Sequence, residues 1–137
     1  MVKKKILLVE DNSNCRELLA LLFSRSGYDV VEAATGLDAV DQTHATRPDV
    51  IIMDLRLPRM TGDEATARLK ANPSTRDIPV IVWTAFHRGA LVERAIVAGA
   101  TEILRKPVHF KDMLDVVRRH LIPGVRLAVP QPQPSYD

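Results

Sequence analysis

The sequence predicts a doubly wound α/β fold, a five-stranded parallel sheet with helices on both faces. Three observations carry this. Short β-rich runs recur five times, beginning at Ile6, Tyr28, Val50, Val80 and Thr101. A segment with helical apolar spacing or helix-cap signals follows each run. The runs 6–9, 50–53 and 80–83 are wholly apolar, as strands covered on both faces should be. Strand–helix units in series close into a parallel sheet with a helix crossing over after each strand.

The elements follow in order. Ile6 to Val9 is the first strand, and the acids Glu10 and Asp11 stop it. Asn12 and Ser13 offer N-cap oxygens to a helix whose Cys15, Leu18, Leu19 and Leu22 recur at helical spacing. Gly27 stands where a helix end favours glycine. Tyr28 to Ala33 is the second strand. Thr35 caps a helix that runs to Thr46, and Pro48 bars its continuation. Val50 to Met53 is the third strand, closed by Asp54. Leu55 to Thr61, with Pro58, reads as a loop, and the third helix runs from Gly62 to Ala71, before Pro73. Val80 to Trp83 is the fourth strand, introduced by Pro79 and closed by Thr84. Leu91, Val92, Ala95 and Ile96 mark the fourth helix, with Gly99 at its end. Thr101 to Leu104 is the fifth strand, closed by Lys106 and Pro107. Phe110, Met113, Leu114, Val117 and Leu121 mark the fifth helix. The stripes on the first, fourth and fifth helices are read as sheet-packing faces. The organisation expected is one domain over 1–122 and a Pro-rich flexible tail or linker over 123–137, punctuated by Pro123, Pro130, Pro132 and Pro134.

Composition excludes several functional classes. The chain carries 19 basic and 17 acidic residues, a formal net charge of +2. The basic residues are scattered apart from Lys3, Lys4 and Lys5, so neither nucleic acid nor an anionic membrane is an expected partner. No run approaches the roughly 18 apolar residues of a membrane span. The apolar run after the basic N-terminus is shorter than the roughly seven residues of a signal-peptide core. One cysteine, Cys15, excludes an internal disulfide and fits a reducing compartment. A cytoplasmic protein is expected.

The chemistry gathers at the carboxyl ends of the strands, where open α/β sheets bind ligands. The first strand ends in Glu10 and Asp11, the third in Asp54, the fourth in Thr84 and the fifth in Lys106. Three clustered carboxylates repel one another and are tolerable around a hard cation, Mg2+ or Mn2+. Lys106 can pair with a phosphate oxygen as a point charge, and Thr84 can donate to another. One carboxylate is then free to act as a nucleophile and carry an acyl phosphate.

The segments ILLVEDNSNCRELL, PDVIIMDLRLPRMTG, IPVIVWTAF and ATEILRKP resemble the signature blocks of response-regulator receiver domains. The resemblance runs in order from Lys4 to Leu121. An acidic pair alone is weak evidence. The acidic pair, Asp-x-x-x-Pro-x-x-x-Gly, Thr-Ala and Lys-Pro, each after an apolar strand, are together strong. The resemblance implies a flavodoxin-like (βα)5 three-layer sandwich with strand order 2-1-3-4-5. It implies that Asp54 is the phosphoacceptor and that Glu10, Asp11, Asp54 and the backbone carbonyl of Arg56 hold Mg2+. It further implies that Thr84, Lys106 and the backbone amides of Arg56 and Ala85 cradle the phosphoryl group, and that Lys106–Pro107 is a cis peptide. Two positions depart from the family pattern. Ile103 stands three residues before the lysine, where Tyr or Phe is common, and Thr61 precedes Gly62, where Asp is common. Arg56 and Phe86 occupy the two positions that tune phosphoryl lifetime. Neither can activate water as a general base, so slow self-dephosphorylation is expected.

Each residue also has a plainer reading. Asp54 can be a turn residue, Glu10 and Asp11 helix caps, Thr84 a strand end and Lys106 a solvated lysine. Their joint arrival in register outweighs these readings. His44, His87, His109 and His120 show no metal-ligand spacing and read as surface or capping residues. Trp83 reads as core, pointing away from Thr84. The function expected is a switch charged by a sensor histidine kinase or a histidine phosphotransfer protein. Its output is an unknown partner on the face of the fourth helix, fifth strand and fifth helix, as a monomer or a phosphorylation-dependent dimer. The alternatives are a phosphorylation-independent scaffold, for which Ile103 is the one hint, and an aspartate-based phosphohydrolase. The latter lacks support, because the nucleophile follows the third strand and no cap domain exists.

Overall fold

A computed structural model of the chain describes residues 3–86 and 88–122. The strands are β1 (Lys5–Val9), β2 (Asp29–Ala33), β3 (Val50–Met53), β4 (Val80–Thr84) and β5 (Glu102–Arg105). The helices are α1 (Ser13–Arg25), α2 (Gly36–Thr46), α3 (Gly62–Ala71), α4 (Ala90–Ala98) and α5 (Phe110–Leu121). All strand pairs are parallel, in the order β2-β1-β3-β4-β5. This is the flavodoxin-like architecture expected. The proposed tail, 123–137, and His87 lie outside the described residues.

Local signals set the helix ends. The Asn12 side chain accepts from the Cys15 amide at 2.9 Å, and Thr35 Oγ1 accepts from the Asp38 amide at 3.0 Å. Gly99 closes α4 at φ 105°, a conformation glycine adopts without steric cost.

Alternation along each strand splits the core in two. Leu7, Val9, Ile51, Met53 and Val82 meet Ala39 of α2, Leu69 of α3 and Val92 and Ala95 of α4. Ile6, Leu8, Ile52, Ile81, Trp83 and Leu104 meet Phe23 of α1 and Met113, Val116 and Val117 of α5. Helices therefore cover both faces of β3 and β4, whose residues are all buried. Phe23 is fully buried and packs edge-on against Phe110 at 4.9 Å between centroids. Burying such a side chain contributes roughly 1.5–3 kcal/mol.

Two expected sheet-packing residues do not pack there. Leu18 is 57 % exposed and Ile96 59 % exposed. The helical period admits both to the apolar stripe, but the stripe is wider than the strip the sheet covers. His120 is also not a surface residue. It is half-buried, and its Nε2 lies 2.7 Å from Glu102 Oε2. No helix among the described residues is long and apolar enough to cross a membrane.

Candidate functional site

The parallel register brings the strand ends to one edge of the sheet. Val9 is aligned with Met53, and Met53 with Val82, so the residues just beyond them meet. Backbone bonds fix their height. The Asp54 amide donates to Val9 O at 3.1 Å and the Lys106 amide to Thr84 O at 2.7 Å. Gly62 is required just beyond. A Cβ there would collide with the Asp54 carbonyl oxygen, while the Gly62 amide donates to Leu55 O at 2.9 Å. The start of α3 therefore rests directly on the loop that carries Asp54.

Glu10, Asp11, Asn12, Asp54, Arg56, Thr84, Ala85, Phe86 and Lys106 line one cleft. Glu10, Asp11 and Asp54 each offer a carboxylate oxygen, and these oxygens lie within 4.8 Å of one another. Lys106 reaches into the cluster. Its Nζ donates to Glu10 Oε1 at 2.9 Å and to Asp54 Oδ2 at 3.3 Å. The Arg56 amide donates to the other Asp54 oxygen, Oδ1, at 3.2 Å. Asp54 is buried but bounded by two donors, whereas Asp11 is exposed at the cleft's rim. Thr84 is fully buried, and its Oγ1 accepts from the Phe86 amide at 3.1 Å. Ala85 follows β4 at the surface, and Lys106–Pro107 is a cis peptide. The sequence-predicted site residues thus meet in one place.

The charges respond to one another. Desolvation at the cleft wall raises the Asp11 pKa, and the hydrogen bond and negative charge of Glu10 raise it further. Burial opposes the charge of Lys106, but the hydrogen bond to Glu10 and the attraction of Asp54 outweigh it and raise its pKa. Burial, then the charge of Glu10, raises the Cys15 thiol. That keeps Cys15 away from the reactive thiolate form.

Two neighbours, Arg16 and Trp83, were not legible as site residues, nor was the contact between Arg56 and Phe86. The Arg16 Nη1 donates to Glu10 O at 2.8 Å, and its Nε pairs with Glu32 at 3.2 Å. Arg56 stacks its guanidinium over the Phe86 ring at 5.4 Å across the mouth. Trp83 is core as expected, yet its ring also carries the Lys106 Nζ, 4.1 Å from the centroid. The signal for Trp83 lies in the register. Trp83 is aligned with Leu104, and two residues on from Leu104 the same face presents Lys106.

This geometry has close relatives. The profile of the family described as "Response regulator receiver domain" matches residues 6–118. The polar-differentiation response regulator DivK of Brucella anthropi is 35 % identical over 118 residues, 86 % of this chain and 96 % of that one. The transcriptional regulatory protein PdtaR of Mycobacterium tuberculosis is 38 % identical over 93 % of this chain, a match that spans 58 % of PdtaR. Among solved structures, the chemotaxis protein CheY4 of Vibrio cholerae superposes with a TM-score of 0.81 at 28 % identity, covering 88 % of this chain and all of that one. The receiver domain of sensor histidine kinase PA1611 from Pseudomonas aeruginosa, with a magnesium ion coordinated in its active-site cleft, gives 0.80 at 32 % identity over 86 % and 97 %. The chain belongs to the response regulator receiver domain family.

Proposed function

We propose that this chain is a Mg2+-dependent phosphoacceptor switch charged on Asp54. One observation carries the reading. Three carboxylates crowd within 4.8 Å, and a single lysine bridges two of them at 2.9 and 3.3 Å. The acids are in net excess over that lysine, and an all-oxygen donor set suits a hard divalent cation. Glu10, Asp11, Asp54 and the Arg56 carbonyl would hold Mg2+, and the magnesium in the PA1611 cleft supports the assignment. Mn2+ satisfies the same donor set. When bound, the ion supplies charge neutralisation for the phosphoryl group.

The protein groups then divide the work. An Asp54 carboxylate oxygen attacks phosphorus while the donor's N–P bond breaks, so the phosphoryl group passes from a histidine imidazole to an acyl phosphate. The carboxylate attacks as an anion, and no proton need leave it. The electron pair departs with the imidazole nitrogen. Lys106 exchanges its bond to Asp54 for one to a phosphoryl oxygen. Thr84 Oγ1 and the amides of Arg56 and Ala85 bind the other oxygens. The donor is a sensor histidine kinase or a histidine phosphotransfer protein. Output is a change of partner on the α4–β5–α5 face in the cytoplasm, as a monomer or a phosphorylation-dependent dimer. The Arg56–Phe86 stack offers no base to water, so self-dephosphorylation is slow, and a half-life of seconds would contradict this.

The test is intact mass after incubation with a small-molecule phosphodonor and Mg2+, beside an Asp54→Asn control. The parent gains one phosphoryl group, while the control and a chelator-treated sample gain none. No gain by the parent, with Mg2+ shown to bind, would point to a scaffold. Steady turnover of an external phosphate ester would point to a hydrolase.

A further inference from the structure

We propose that Trp83 is a positioning residue that holds the Lys106 ammonium over the Asp54 cleft through the face of its ring. The inference rests on the phosphoacceptor reading for what that lysine does. The contact itself stands on geometry: the Nζ lies 4.1 Å from the ring centroid while it bonds Glu10 and Asp54. An ammonium has three donors. Among the described residues two meet carboxylates, and the ring face supplies the remaining attraction.

Packing alone gives no reason for a tryptophan here. Trp83 is 7 % exposed within the α1–α5 core, among Ile81, Leu104 and Met113. Its indole Nε1 is buried with no hydrogen-bond partner. A buried donor left unsatisfied is destabilising, and a residue without that N–H would fill the space without the penalty. What the indole adds is a broad, electron-rich face under Lys106, and tryptophan is the best of the aromatics at this.

Attraction to a ring face also suits a lysine that must change partners. A carboxylate bond is directional and breaks when Asp54 becomes an acyl phosphate. The ring attracts the ammonium over its whole face, so Nζ can slide from the Asp54 oxygen to a phosphoryl oxygen without losing its support. Trp83 touches neither reacting atom and acts only through Lys106.

The experiment compares the parent with Trp83→Phe and Trp83→Leu. Phosphoryl uptake from acetyl phosphate with saturating Mg2+ is followed by intact mass across donor concentrations. The Leu variant should lose roughly five- to thirty-fold in maximal rate, the range a cation–π contact spans as it is desolvated. The Phe variant should restore the rate to within about threefold, because a ring face remains. A Leu variant as fast as the parent overturns the proposal. So does a Phe variant as slow as Leu, since that would assign the loss to packing volume. A second readout needs neither variant to fold nor phosphate to transfer. Trp83 is the only tryptophan, so its emission reports the ammonium above it. Lys106→Met should shift or brighten that emission in the resting protein, and an unchanged spectrum overturns the proposal. If the parent takes up no phosphoryl group, the phosphoacceptor reading fails by itself and the emission still decides the contact.

Discussion

The two sides of the sheet carry different chemistry at the same two strands. On the side of α2, α3 and α4, β4 and β5 align Val82 with Ile103, an aliphatic pair packed against the core around Leu69 and Ala95. On the side of α1 and α5, one residue further on, they align Trp83 with Leu104 and lead to Lys106. The family's common aromatic position lies on the first side and is filled here by Ile103. The only tryptophan lies on the second, touching the charged end of the site. The two faces thus differ in their access to the cleft. The α1–α5 core touches the lysine of the site through Trp83, whereas the opposite core reaches only the mouth of the cleft, through Phe86.

Large core truncations should divide the two sides most clearly. Phe23 and Leu69 are both essentially fully buried, on the α1–α5 and α3 sides respectively. Phe23→Ala should cost about 3–5 kcal/mol and Leu69→Ala about 2–5 kcal/mol in denaturant unfolding. The similar losses should come with different spectra. Phe23→Ala loosens the core that contains Trp83 and should move its native-state emission, whereas Leu69→Ala should not. Equal emission changes would erase the distinction between the faces.

Next in size is the backbone contact beneath Asp54. Gly62→Ala drives a Cβ into the Asp54 carbonyl, so the chain must shift at the site. The cost should be about 1–3 kcal/mol, with phosphoryl uptake slowed as well. A variant that loses stability but keeps the parent's rate would show that the Asp54 loop yields without moving the carboxylate.

Smaller still, Ile103→Val should cost about 0.5–1.5 kcal/mol and leave the maximal phosphorylation rate within about twofold, as expected of a residue that only packs. A loss as large as that from Trp83→Leu would give Ile103 an equal share in the site.

The smallest effect is graded with pH. Asp11 is a carboxylate whose pKa is raised by desolvation and by Glu10. Its protonated form is therefore favoured at higher pH than for a free aspartate, and each proton bound there removes a ligand charge. Mg2+ affinity should weaken as pH falls, beginning above the ordinary aspartate range. Asp11→Asn should bind Mg2+ more weakly and flatten the upper part of that decline. The same decline in Asp11→Asn, followed by Mg2+ titration, would assign it to another acid.

Much of this molecule is legible in its sequence because burial on both faces leaves a coarse signal. Ile6–Val9, Val50–Met53 and Val80–Trp83 are apolar without interruption, and each stops on a polar residue that belongs to the sheet edge. That is why Glu10, Asp54 and Thr84 could be named before any geometry. What stayed hidden depends on register and side-chain reach. Lys106 and Trp83 are far apart in sequence, and only the alignment of Trp83 with Leu104 puts them on one face. Arg16 bonds a backbone carbonyl of Glu10 from the first turn of α1, a contact no spacing rule marks. Leu18 and Ile96 mislead for the opposite reason. Helical period locates a stripe and says nothing of how wide a strip the neighbours cover.

A phosphoryl group on Asp54 would be an acyl phosphate, and that chemistry allows a direct test. An acyl phosphate is reduced by borohydride to an alcohol, which would convert Asp54 to homoserine. The phosphorylated parent should be reduced, digested and sequenced by tandem mass spectrometry. The account predicts homoserine at position 54 alone, in samples given both phosphodonor and Mg2+. Homoserine at Asp11 or another aspartate, the one-carbon-longer alcohol (2-amino-5-hydroxypentanoic acid) at Glu10 or another glutamate, or an intact Asp54 in protein that has gained a phosphoryl group, would contradict it.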